Sequence, residues 1–400
     1  MTTGKLSPFS RLALFLALIA VAVFATIAVA VSRPSLLIGL GPQSHEAPDG
    51  SRLAILDGKA VPVAGLFRPG AGEPLPAVLS RAELADMARQ RPADVLIPEN
   101  TDFVEEPDML GSYDAFNRFM QRQGWLASLL AGDHVGLVIA EADAASLATV
   151  HVPVRPSRPV STLPSGFWLQ LGSAVCMLAV AAFLMTLRPR DGPSAAFAVS
   201  GLGAAGAALT AAIYSTRDLA LASSLFETLS ALNQFWTFLF GVAAIHLFAI
   251  YPVRLVRSRS LWPVGALSLL LILLYRMQVV PIDLVSPHIG ILGLLIGILV
   301  FVVLQYRATR ADPANRAIML WIGMSVVLGA GSFVLLVTVP LLLGREAATS
   351  QSVAFVPLAA IYAAIAVGIL RYRLFDLDRW AYRLILYTAI IVGVLVLDLG

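Results

Sequence analysis

Apolar residues fall along this chain in two kinds of pattern. Most of it carries long, almost uninterrupted apolar runs, at 12–31, 167–187, 195–214, 231–251, 261–280, 289–306, 317–339, 353–370 and 384–400. Each has roughly the length a helix needs to cross about 30 Å of hydrocarbon. Internal Pro263 and Pro357 do not argue against this, because membrane helices accommodate proline when neighbours satisfy the freed backbone groups. One segment, 33–164, breaks the pattern. There the apolar positions come in short runs of four to seven residues or at helical spacing, with ordinary polar residues between them.

Within 33–164, residues 52–56 and 60–66 flank Asp57-Gly58 and predict a β-hairpin. Ser80-Arg81-Ala82-Glu83 is a capping-box pattern that opens a helix continuing through Leu84 and Met87. Residues 94–97 read as a strand, 112–130 as a longer helix with Tyr113, Phe116, Met120 and Leu130 on one side, and 135–140 and 148–154 as closing strands. The proline-rich stretch 153–164 reads as a semi-stiff link into the second apolar run.

Composition sharpens this picture. Hydrophobic residues make up 58% of the chain and charged residues 13%, the profile of a membrane protein. The net charge of +3 is small and sits in short loops, which speaks to topology and against nucleic-acid binding. Alternate loops are arginine-rich: Arg188 and Arg190; Arg254, Arg257 and Arg259; Arg307, Arg310 and Arg316; Arg371, Arg373, Arg379 and Arg383. The others hold little beyond Arg217, Arg276 and Arg345. The basic set is expected to face the cytoplasm, as is the N-terminus, where Lys5 and Arg11 precede the first run. That first run reads as a retained anchor, with a cleavable signal ending near Ala28-Val29-Ala30 as the alternative. The lone Cys176 lies in an apolar run, so 33–164 has no disulfide and must rely on packing.

The expected fold is therefore mainly α: a polytopic membrane helix bundle of about nine spans, with a small α+β extracytoplasmic domain between spans 1 and 2. The chain divides into a cytoplasmic N-terminus and anchor (1–32), the outer domain (33–164), a seven-span bundle (165–370), a cytoplasmic elbow (371–383) and the start of a further membrane hairpin (384–400).

Candidate chemistry is sparse. Glu99, Asp102, Glu105, Glu106 and Asp108 form an acidic cluster without EF-hand spacing, which reads as a solvated loop before a cation site. His45, His134 and His151 lack metal-ligand spacing, and no P-loop, Rossmann fingerprint or G-x-S-x-G motif is present. No catalytic, cofactor or metal residue is assigned. Polar groups on or beside apolar runs say more. Glu227, Asn233, Gln234, His246 and Arg276 are costly in hydrocarbon and are expected to face the bundle interior. They read as a ligand or ion site between helices, or as plain interhelical hydrogen bonding.

Three stretches belong together. Phe167-Trp168 opens a run that exits through Leu187-Arg188-Pro189-Arg190-Asp191. Tyr214-Ser215-Thr216-Arg217-Asp218-Leu219-Ala220 leads to His246-Leu247-Phe248 and Tyr251-Pro252. Arg371-Tyr372-Arg373-Leu374-Phe375-Asp376-Leu377-Asp378 precedes Arg379, Arg383 and a new apolar run. This order resembles the N-terminal membrane region of multi-span bacterial sensor histidine kinases, the group that includes competence-pheromone receptor kinases. The resemblance covers most of 167–400 and is only general for 33–164. It implies a bacterial inner-membrane sensor, a homodimer, that passes an external or membrane signal to a kinase module with ATP and Mg and on to a response regulator. No such module lies in this chain. The physical reading of Arg371, Arg373, Phe375, Asp376, Asp378 and Arg379 is a cytoplasmic elbow, with basic residues at headgroups and acids in water, serving either as a signal coupler or as a topological anchor. A transporter or channel, and a scaffold whose outer domain binds another protein, are the alternative functions.

Overall fold

The computed structural model of the chain describes residues 7–44, 46, 51–69, 77–140 and 147–372, with the backbone alone for 314 and 367–372. His45, the elbow from Arg373 to Arg379 and the ninth apolar run at 384–400 lie outside the described residues, and of Arg371 only the helical backbone is described. The chain forms two compact units, one of 1–26, 165–212 and 231–400 and one of 27–164 with 213–230.

The second unit holds a six-stranded antiparallel sheet. After α1 (Pro8–Val31) come β1 (Arg52–Leu56) and β2 (Lys59–Phe67), a hairpin turning on Asp57 and Gly58. Both turn residues have positive φ (49° and 75°), the left-handed conformation that a tight hairpin demands and that Asp-Gly tolerates. β3 (Val78–Leu79), α2 (Arg81–Gln90), β4 (Val95–Leu96), α3 (Tyr113–Leu129), β5 (His134–Ala140) and β6 (Leu147–Pro153) follow. The strand order is β1-β2-β5-β6-β3, with β4 pairing to the far end of β2. The predicted capping box is present: Ser80 accepts from the Glu83 backbone, and the Glu83 carboxylate accepts from the Ser80 N–H at 2.7 Å.

Alternation along β5 sorts its side chains onto two faces. Val138 joins Phe67, Leu84, Val95 and Leu147 beneath α2. Val135 and Leu137 join Leu36, Leu40, Leu66, Phe103, Leu126 and Leu129 on the α3 side, and Leu219 and Ala220 are built into that same core. The polar domain expected at 33–164 thus shares its core with a segment more than fifty residues further along. The 153–164 stretch is also more than a link. The Arg155 N–H and carbonyl pair with Ser35, and the Arg158 N–H donates to the Val31 carbonyl.

The first unit is helical. Its helices are α4 (Ser165–Leu187), α5 (Gly192–Tyr214), α6 (Ser223–Ile250), α7 (Trp262–Met277), the single turn α8 (Ile282–Val285), α9 (Pro287–Ala308), α10 (Pro313–Phe333), α11 (Val339–Leu342) and α12 (Gln351–Tyr372). The ends of α5 and α6 belong to the sheet unit. Among the described residues seven helical segments are long and apolar enough to cross a membrane, and 351–366 adds a shorter apolar one. They correspond to the first eight predicted runs.

α5 is the most deeply packed of these helices, and its small residues explain why. A Cβ on Gly203 would lie 2.5 Å from the Phe240 nitrogen and 2.8 Å from the Trp236 carbonyl oxygen, so α6 runs against bare α5 backbone. Gly201 gives the same closeness to Ala181 of α4. Ser200 shares a 2.9 Å hydrogen bond with the Tyr362 hydroxyl of α12. Between α10 and α11 the helix widens to a π turn over Val334–Thr338. Pro340 cannot donate to the Leu336 carbonyl, and the Ala348 N–H takes that acceptor at 2.8 Å.

Gly203→Ala is expected to lower the thermal unfolding temperature of the detergent-solubilised chain by several degrees, since backbone on α6 must retreat. Gly172→Ala, with nothing within 4 Å of the added carbon, should leave it unchanged or raise it. Circular dichroism melts of both variants check this, and equal melts would refute the close-packing account.

Candidate functional site

The acidic stretch 99–108 is only partly solvated: Asp102 and Glu106 turn inward, Glu105 and Asp108 are half-buried, and Glu99 stays exposed. Asp102 is 1% exposed and Glu106 is buried. Two short 3₁₀ turns, Asn100–Phe103 and Pro107–Met109, bring the stretch against α3. Arg122 of α3 grips Asp102 with two hydrogen bonds, Nε to Oδ1 at 2.6 Å and Nη2 to Oδ2 at 2.7 Å, and donates to the Ile97 carbonyl. Its Nη1 also lies 2.9 Å from Glu99. Burial works against the Arg122 charge, but the hydrogen bond and charge of Asp102, with Glu99 behind, hold its pKa above the ordinary guanidinium value. The Gln123 amide donates to the Asp102 carbonyl at 2.9 Å.

Arg217, in the turn between α5 and α6, closes this arrangement from the other side. Its Nη1 donates to the Tyr214 carbonyl and its Nη2 to the Asp102 and Val104 carbonyls, each at 2.9 Å. The guanidinium lies 5.0 Å from the Phe226 ring centroid and 5.6 Å from that of Phe119, and the two rings meet edge to face. Its partners among the described residues are carbonyls and rings. Burial therefore pushes its pKa down to about 9, with Glu105 and Asp102 pulling the other way from a distance. It remains a cation at neutral pH. The Tyr214 hydroxyl donates to Glu106.

Asp218 makes the neighbouring knot. Its Oδ2 accepts from the Ser35 hydroxyl at 2.6 Å and from the Leu36 and Leu37 backbone N–H groups at 3.0 and 3.3 Å. Arg158 donates to the Thr216 and Thr162 carbonyls, both at 2.8 Å. Burial lowers the Arg158 pKa, and Asp218 partly restores it. Three strands of chain meet here: 31–37 just after α1, 155–162 just before α4, and 214–218 between α5 and α6.

The residues singled out in the apolar runs are spread along the chain instead. Glu227 is exposed, near the start of α6. Asn233 is buried and donates across to the Ala207 carbonyl of α5 at 2.9 Å, an interhelical hydrogen bond. Gln234 is 3% exposed, and among the described residues neither of its amide atoms has a hydrogen-bond partner. His246 is half-buried about three turns further along α6, and Arg276 is half-buried at the end of α7. At about 1.5 Å rise per residue, Glu227 and His246 stand about 28 Å apart along one helix axis, so the two cannot hold one ligand. A cavity of about 820 Å³ between α10 and α12 is lined by apolar residues with Ser325 and Ser332, whose hydroxyls are bonded to their own helix carbonyls. Among the described residues no group of three or more acidic, histidine or cysteine side chains is placed to hold a metal ion.

Arg122, Gln123 and Arg158 escaped the sequence reading, and so did the pairing of Arg217 and Asp218 with the outer segment. Arg122 had one visible signal, the acidic cluster twenty residues upstream; at about 3.6 residues per turn it stands on the far side of the predicted helix from Tyr113 and Met120. Compared with known proteins, the chain matches no family model, no curated protein and no solved structure.

Removing one partner of a buried ion pair leaves the other uncompensated, at a cost of about 3–5 kcal/mol. Arg122→Ala should therefore destabilise the sheet unit by about that much, and pairing it with Asp102→Leu should recover a large part. Limited proteolysis of the purified chain, reading cleavage between 52 and 152 against denaturant, measures both. A double variant no better than Arg122→Ala would show that the pair is not the source.

Proposed function

We propose that this chain is the membrane-embedded sensory input region of a bacterial two-component sensor histidine kinase. The apolar helices cross the inner membrane, the N-terminus lies in the cytoplasm, and the sheet unit faces outward to meet the stimulus. The observation that carries the reading is the polar junction of buried Ser35 and Arg217 with half-buried Arg158 and Asp218. These side chains fasten together the chain leaving α1, the chain leading into α4 and the turn joining α5 to α6. A stimulus that rearranges the sheet unit must move those three helix ends or break buried charge-assisted hydrogen bonds. A ligand drives such a change only by binding one arrangement more tightly than the other. The apolar character of seven helices and the alternation of arginine-rich and arginine-poor loops support the membrane placement.

In this reading the elbow around Arg371 to Arg379 hands the change to a kinase module encoded further on, which works as a homodimer with ATP and Mg on a response regulator. The dispersal of Asn233, Gln234 and His246 along α6 offers no continuous polar path, so a channel or carrier finds less support.

Two outcomes are expected. Topology reporters fused after Arg190, Ser258 and Asp312 should report the cytoplasm, and reporters after Asp102 and Glu346 the outside; an external signal at Asp312 would overturn the topology. Translating the gene past Gly400 should give a short outer turn, an apolar run of about 20 residues with a basic inner flank, then a helix bearing the phosphoacceptor histidine and an Asn/Gly-rich ATP site. A stop codon directly after Gly400 would remove the kinase reading and bring scaffold or transporter forward.

A further inference from the structure

Away from the junction, the sheet brings together two histidines that stand apart in sequence. His134 of β5 and His151 of β6 lie on one face, because the ladder pairs His134 with Pro153 and Gly136 with His151. They are diagonal neighbours, a spacing that long side chains can bridge. Their ring centroids are 6.5 Å apart and their planes stand at 84°. Both residues are exposed. Directly opposite His134 is a proline, and directly opposite His151 a glycine, so neither imidazole meets a polar side chain across the ladder. The Phe67 ring covers that glycine: a Cβ on Gly136 would lie 2.4 Å from it. Among the described residues no hydrogen bond or ion pair holds either imidazole.

The pair is held ready by its backbone. β5 and β6 run through seven consecutive pairs without a register shift, which fixes the spacing of the two histidines on rigid strands. Imidazole nitrogens are ligands for first-row transition-metal dications. An ion about 2.0–2.1 Å from one nitrogen of each ring would bring the centroids to about 5 Å, and a modest rotation of two exposed side chains achieves that. Among the described residues no acidic side chain joins them as a third ligand. Two nitrogens without a carboxylate do not suit calcium or magnesium, which take oxygen ligands. They do suit copper(II) and zinc(II), with copper(II) the tighter in the general order of affinities.

We propose that His134 and His151 form a binding site for a single transition-metal dication, copper(II) before zinc(II), with water in the remaining coordination positions. The bound ion staples β6 to β5 four residues before Arg155, whose backbone pairs with Ser35 in the chain that leaves α1. Occupancy thereby stiffens the strand that feeds the stretch 155–162. The site goes beyond the sensory reading and does not rest on it, because a scaffold with this sheet would bind the ion equally.

The test uses the full chain, purified in detergent and stripped of metal with a chelator. Copper(II) is titrated in and followed by electron paramagnetic resonance, and zinc(II) by isothermal calorimetry. One equivalent of copper(II) should give a spectrum split by two imidazole nitrogens. Zinc(II) should bind with the same stoichiometry, and copper(II) should displace it. Copper(II) should also raise the melting temperature saturably, as any ligand of the folded state does. His134→Gln and His151→Gln should each lose the two-nitrogen signal and the zinc heat. Both positions are exposed, so the variants should melt like the parent in chelator, which circular dichroism checks. Absence of a two-nitrogen signal in the parent chain would overturn the proposal. A signal that survives unchanged in both single variants would put the ion elsewhere and overturn it equally.

Discussion

The sheet unit depends on the burial of one positive charge. The Arg217 guanidinium has left water for carbonyls and aromatic rings, and everything that makes its position tolerable comes from a different part of the chain. The Asp102 and Val104 carbonyls come from the acidic stretch, Phe119 from α3, Phe226 from α6, and the Tyr214 carbonyl from the end of α5. The Asp102 and Val104 carbonyls point at Arg217 because they lie past the Glu99 and Thr101 carbonyls, which take the N–H groups of the 3₁₀ turn. That turn also holds Asp102 inside, where it needs Arg122. The two arginines are therefore not independent. Arg122 neutralises the loop's side chain, and the loop so fixed presents its backbone to Arg217.

This coupling has a consequence for mechanics. Apolar contacts can slide at little cost, because dispersion and burial are not directional. Buried hydrogen bonds to a charge cannot, since each is worth more than a neutral one and leaves an expensive orphan when broken. The α3-side core, with Leu219 and Ala220 inserted among Leu36, Leu40 and Leu126, would on its own permit small shifts between the segments. The Arg217 and Asp218 bonds permit only discrete rearrangements. A junction that resists gradual deformation and yields by switching partners is the kind of element through which a binding event can be passed along a chain.

The local elements were largely legible in the sequence. The Asp57-Gly58 hairpin, the Ser80–Glu83 capping box, the α3 boundaries and the apolar runs all depend on residues within a few positions of one another, where periodicity and turn chemistry speak directly. The site was not legible, because its partners are separated by 115 residues between Asp102 and Arg217 and by 183 between Ser35 and Asp218. Five acids in ten residues look solvated when read along the chain; that Asp102 meets Arg122 and that Glu106 accepts from the Tyr214 hydroxyl is a fact of three dimensions only. Asn233 is open to two readings along the chain, ligand chemistry or interhelical hydrogen bonding, and it meets a backbone carbonyl of the neighbouring helix, as a polar side chain in an apolar layer takes the nearest acceptor.

Arg217 also bears on how loops should be read in a chain of this composition. An arginine in an otherwise arginine-poor loop is a nuisance for topology assignment, and the simplest response is to discount it. Its burial removes the conflict. A guanidinium wrapped by carbonyls and aromatic rings is not a charge displayed to lipid headgroups, and it should not count in the bias that orients a helix hairpin. Only arginines that remain exposed at a membrane boundary report on orientation. The exception among the loops is then the residue that fastens the sheet unit together, and the rule and its exception share one physical cause: a charge stays where water or fixed dipoles can solvate it.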